Sequence, residues 1–116
     1  MNFWVFLFAF LLVQGYSLSL PPYAIVESSN INISTGDILE IHIEHNGNVY
    51  VEITLNNEAV YRNFDRGIYE DVNMTFADPG SYRISLRNPT QFRHEVNYLI
   101  TVKSANYSST VRFPTV

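Results

Sequence analysis

The chain has 116 residues, 47% of them hydrophobic and 16% charged, with a net charge of −4 and no cysteine. Six of its seven basic residues are Arg, spread along the chain rather than clustered, which argues against nucleic acid as a partner. Without cysteine there is no disulfide, thiol or thiolate–metal chemistry, and the core alone must hold the fold.

Residues 3–13 (FWVFLFAFLLV) are an unbroken apolar run followed by the small residues Gly15 and Ser17, the pattern of an export signal. No Lys or Arg precedes the run. An eleven-residue helix rises about 17 Å, against about 30 Å for a hydrocarbon core, although residues 1–20 together approach that length. Two readings follow. Residues 1–17 are a signal peptide, cleaved after Gly15 or Ser17, or they are an uncleaved N-terminal anchor helix associating with the membrane through residues 3–20. In both, residues 18–116 form a single domain that is secreted or held at the cell surface.

Alternation of apolar and polar residues dominates the remainder, the signature of half-buried antiparallel strands. Leu39, Ile41 and Ile43 face one way, as do Val49, Val51, Ile53 and Leu55. Val72, Met74 and Phe76 form a third inward set, Tyr82, Ile84 and Leu86 a fourth, and Val96, Tyr98, Ile100 and Val102 a fifth. Weaker strands are expected over residues 24–33 and 59–61. One sheet cannot bury all these faces, so the expected fold is an all-β, antiparallel two-sheet β-sandwich of about seven strands.

Turn chemistry adds pairing expectations. A three-residue loop at His45-Asn46-Gly47 pairs Ile43 with Val49 and keeps two successive strands in one sheet. Asn56-Asn57 suits a tight turn pairing Ile53 with Val60, and residues 63–69, with Asp65-Arg66-Gly67 at their centre, read as a surface loop.

The sharpest motif is Asp78-Pro79-Gly80-Ser81-Tyr82. It resembles the tyrosine corner of immunoglobulin-like sandwiches and the F-x-x-P-G-x-Y segment of PKD-type domains, which would make Tyr82 a buried corner tyrosine, Gly80 its turn residue and Asp78 part of the same structural motif. The run from Thr35-Gly36-Asp37 through Gly80-x-Tyr82 to Leu86-x-Asn88 is similar to the GOLD domain, a β-sandwich of cargo receptors and exported proteins. That resemblance implies protein or lipid recognition, not catalysis. The tryptophan and Asp-Gly run of the PKD pattern, the immunoglobulin cysteine pair, and the coiled coil of cargo receptors have no counterpart here.

Chemistry-bearing clusters are few. Glu40, His42 and Glu44 share an outward strand face within reach of a cation, but alternation alone produces such a row, and no metal site or cofactor is expected. His42 and His45 point to opposite faces, and His94 has no partner in sequence. No nucleophile elbow, phosphate loop or zinc-protease helix is present, and Glu70-Asp71 reads as a solvated strand end, so the protein is not expected to be an enzyme. Asn32, Asn73 and Asn106 head N-glycosylation sequons.

The leading functional expectation is a non-catalytic exported protein that acts through protein–protein interaction or self-association, in a surface assembly or as an accessory subunit of a membrane complex. Tyr50, Tyr61 and Tyr69, and also Tyr107, lie outside the inward sets and suit an interface. Alternatives are carbohydrate binding with Tyr50 and Tyr61 or Tyr69 as stacking platforms, and a filament subunit donating its terminal segments, residues 18–33 and 107–116, as strands to a neighbour.

Overall fold

The computed structural model describes residues 15–45, 48–64 and 70–114. The apolar run of residues 3–13, the Asn46-Gly47 turn and the loop segment 65–69 with Tyr69 lie outside them. Ten strands form: β1 (Tyr16–Leu20), β2 (Ile25–Glu27), β3 (Ile31–Ile33), β4 (Ile38–His45), β5 (Tyr50–Leu55), β6 (Glu58–Asn63), β7 (Glu70–Phe76), β8 (Gly80–Arg87), β9 (His94–Lys103) and β10 (Ser108–Val111). They exceed the expected seven because residues 24–33 split around buried Ser28, and because β1 and β10 add short edge strands.

Two antiparallel sheets pack face to face. A front sheet runs β1-β9-β4-β7, with β10 also on β9; a back sheet runs β2-β8-β5-β6, with β3 also on β8. Following the chain, β1 pairs with β9, β2 and β3 with β8, β4 with β7, and β5 with β6, each rung lying in the sheet opposite to the last. The β4·β9 and β5·β8 ladders close the two sheets. This rolled ribbon is the strand order of a jelly roll. It is not the immunoglobulin order, in which the corner-tyrosine strand and the next strand share a sheet: β8 and β9 are in opposite sheets.

The expected β4–β5 hairpin does not form. Those strands belong to different sheets, so the chain changes layer between His45 and Tyr50. Inward parity is preserved equally by a hairpin and by an arch between facing sheets, which is why residue parity could not separate them. A second correction concerns β6. Asn56 and Asn57, at φ 51° and 69°, make the tight turn. A bulge between Ile53 and Thr54 then shifts the register so that Ile53 faces Tyr61, not Val60.

Every inward residue of the five predicted sets lies in the core or packs against it. Leu18, Leu20, Val26, Ile31, Ile33 and Phe113 extend that core from the edge strands and the C-terminal segment. Tyr98 stands at the junction of the two ends. Its ring meets Tyr16 at 5.6 Å and Phe113 edge-on at 4.8 Å, and its hydroxyl accepts from the Phe113 amide at 2.9 Å.

Candidate functional site

The outer face of the back sheet carries the most distinctive surface. Alternation directs Ile25 of β2, Ser85 and Arg87 of β8, and Tyr50 and Glu52 of β5 away from the core. Register sets them in two rows, Ile25–Arg87–Tyr50 and Glu27–Ser85–Glu52. Phe64, just past β6, brings its ring to 5.0 Å from Tyr50 at 38°. Arg62 lies 5.5 Å from the Phe64 centroid and binds Glu52 through Nε at 2.7 Å, holding the aromatic and polar rows together. Ile25, Tyr50, Glu52, Phe64, Ser85 and Arg87 line a shallow recess of about 240 Å³.

Large apolar side chains are exposed on this face and in the loops that flank β2 and β9. Ile25 is 59% exposed, Tyr23 67% and Phe92 64%. Tyr23 adopts φ 60°, a left-handed backbone uncommon for a non-glycine residue. Its loop is tied to the 88–93 loop: the Tyr23 amide donates to the Thr90 carbonyl at 3.1 Å. Buried Asn88 reaches the carbonyls of Leu20, Pro21 and Phe92 through Nδ2, at 3.1, 3.0 and 2.7 Å.

Of the expected interface tyrosines, Tyr50 sits on this face. Tyr61 does not: the β6 bulge turns it, half-buried, against the core and leaves Val60 exposed. Tyr69 lies outside the described residues, and Tyr107 is exposed in the β9–β10 turn. Phe64 went unpredicted because it follows the last alternating position of β6 and has no periodic partner.

The corner residues occupy the crossover from front to back sheet. Tyr82 is wholly buried, and its hydroxyl donates to the Asp78 carbonyl at 2.7 Å. Burial, and secondarily the Asp78 carboxylate, raises the pKa of its phenol. Asn32, Asn73 and Asn106, the sequon asparagines, are all exposed.

On the outer face of the front sheet the predicted row of Glu40, His42 and Glu44 divides. Glu40 pairs with Lys103 at 3.0 Å. His42 Nε2 lies 3.2 Å from Glu44 Oε1 and 3.5 Å from Asp71 Oδ1 of neighbouring β7. His45 faces the interior, and His94 meets the Thr90 hydroxyl at 3.0 Å. No family model matches the chain, and the search of curated proteins finds no significant relative. Among the described residues, no helix is long and apolar enough to cross a membrane.

Proposed function

We propose that this chain is an exported, non-catalytic binding module, secreted or held at the cell surface, that engages a protein partner through the outer face of its back sheet. The observation that carries the reading is the outward-facing row Ile25–Arg87–Tyr50 capped by Phe64, since aromatic residues and Arg are what protein interfaces concentrate. Of the sandwich resemblances we take the GOLD-like one, whose residues have separate structural tasks here. Gly36 turns the chain into β4, Gly80 and Tyr82 make the corner, and Asn88 clamps two loops. That resemblance favours recognition within a surface assembly or a membrane complex. Exposure of Asn32, Asn73 and Asn106 agrees with glycan attachment on an exported chain.

Photo-cross-linking from position 64 in native membranes, with position 107 as a distant control, tests the reading. A discrete adduct from 64, lost when Tyr50→Ala and Ile25→Glu are introduced into a chain that stays folded, is expected. A free monomer without adducts overturns it.

A second reading, carbohydrate binding, draws on the tilted Tyr50–Phe64 pair beside Glu52 and Arg87, an apolar platform with polar groups at its edge. A glycan array decides between the two. Strand donation finds less support, because β1, β2, β3 and β10 are all hydrogen-bonded within their own chain.

A further inference from the structure

We propose that the outer face of the front sheet holds a zinc-type divalent metal site made by His42, Glu44 and Asp71, separate from the recognition face on the back sheet. The site follows from strand geometry. His42 and Glu44 are two residues apart on β4 and so share its outer face, and β7 places Asp71 directly opposite Glu44 and diagonal to His42. One ligand atom from each of the three lies within 4.8 Å of the others.

The convergence on a single nitrogen is the telling feature. An imidazole Nε2 has one in-plane position, which a proton or a metal can occupy. A proton there makes one well-directed hydrogen bond, yet two anionic oxygens approach it, at 3.2 and 3.5 Å. A metal at that position bonds the nitrogen and both oxygens at once. With Zn–N and Zn–O bonds of about 2.1 Å, the nitrogen–oxygen edge of a tetrahedron is about 3.4 Å, between the two observed separations.

Donor type selects the ion. One imidazole and two carboxylates suit zinc, whereas calcium and magnesium take nearly all-oxygen shells of six or more ligands. Glu40, the remaining carboxylate of the β4 row, is engaged by Lys103 at 3.0 Å, which leaves His42, Glu44 and Asp71 as the donor set. The three side chains are 38%, 32% and 48% exposed, and His42 and Glu44 border a recess of about 270 Å³, leaving room for water as the fourth ligand.

Calorimetric titration of the purified chain with ZnCl₂ tests the site, with imidazole ¹⁵N shifts reporting which nitrogen is engaged. The expected result is one zinc per chain, a change at His42 Nε2, no saturable binding in His42→Ala, at least tenfold weaker binding in Asp71→Asn, and no effect of His94→Ala. Asp71 is exposed, so Asp71→Asn remains informative should His42→Ala fail to fold. The absence of saturable zinc binding overturns the proposal. So does unchanged affinity in the folded Asp71→Asn or His42→Ala chain, or binding of CaCl₂ in preference to ZnCl₂.

Discussion

The hydroxyl of Tyr82 donates to the backbone carbonyl of Asp78, four residues upstream, at 2.7 Å, fastening the point where the chain leaves the front sheet and enters the back one. Tyr82→Phe keeps the ring and removes the donor. The bond is only partly buried, and urea denaturation should show a loss of about 1 kcal/mol. The same burial fixes a pH dependence. The folded phenol holds its proton above the ordinary pKa of 10.0, so the folded state binds more protons than the unfolded one in that range. This stabilisation is complete below about pH 10 and is lost as pH rises through the folded pKa. Between those limits, wild type should lose stability more steeply than Tyr82→Phe; parallel curves would remove Tyr82 as the cause.

Gly80 and Gly36 separate backbone strain from steric contact. Gly36 has φ +93° and open space where a Cβ would stand, so Gly36→Ala should cost about 1 kcal/mol through conformation alone. Gly80 has φ +146°, and a Cβ there would come 2.5 Å from Leu55 Cδ1. Half-buried Leu55 would have to leave its place, raising the cost of Gly80→Ala to about 2 kcal/mol or more. Equal losses in chemical denaturation would show that Leu55 moves freely.

Tyr61 and Tyr50 should respond oppositely to truncation although they lie on neighbouring strands. Tyr61 packs against the core, and Tyr61→Ala should cost about 2 kcal/mol of stability. Tyr50→Ala, on the outer face, should cost less than about 1 kcal/mol and act on partner capture instead. Thermal unfolding of the two variants side by side checks the assignment, and a larger loss for Tyr50 would contradict it.

That contrast marks the limit of what the amino-acid order revealed. Period-two alternation is local, so the inward residues of all five long strands were legible, from Leu39 to Val102, and so was the layered fold they require. Sheet membership was not, because a change of layer after His45 and a hairpin satisfy the same parity. The β6 bulge hid Tyr61 for a related reason: one inserted residue reverses every face beyond it. Phe64 and Asp71 join Tyr50 and His42 only through long-range pairing, which no spacing along the chain encodes. The Asp78–Tyr82 motif was legible because its hydrogen bond closes within five residues.

Asn88 is the buried polar group on which two loops depend. Its amide reaches three carbonyls, and its Oδ1 accepts from the Thr90 amide at 3.0 Å and the Thr90 hydroxyl at 2.8 Å. Asn88→Ala leaves the buried Leu20 carbonyl and the partly buried Pro21 and Phe92 carbonyls without their donor and should lower stability by about 2 kcal/mol. Hydrogen exchange should accelerate at the amides of Tyr23 and Thr90 ahead of those in β4. Uniform acceleration would show that the clamp is not local.

Tyr16 predicts where an exported chain is cut. Of the two small residues expected to precede the cut, Ser17 lies within β1 and Gly15 lies just outside it. Tyr16 pairs with Tyr98, touches its ring at 5.6 Å, places its hydroxyl 3.2 Å from Thr110 Oγ1 and lies 4.3 Å beneath the Arg112 guanidinium. Ser17 Oγ donates to Asn97 Oδ1 at 2.8 Å. Cleavage after Ser17 removes all of these contacts and shortens the strand that covers β9, whereas cleavage after Gly15 keeps every one. Mass spectrometry of the natively produced protein should therefore find Tyr16 as the first residue. A chain starting at Tyr16 should be more stable in urea than one starting at Leu18 by about 2 kcal/mol, the scale of one lost aromatic packing partner and a hydrogen bond. A native N-terminus at Leu18, or equal stability of the two chains, would show that β1 does not need its first two residues.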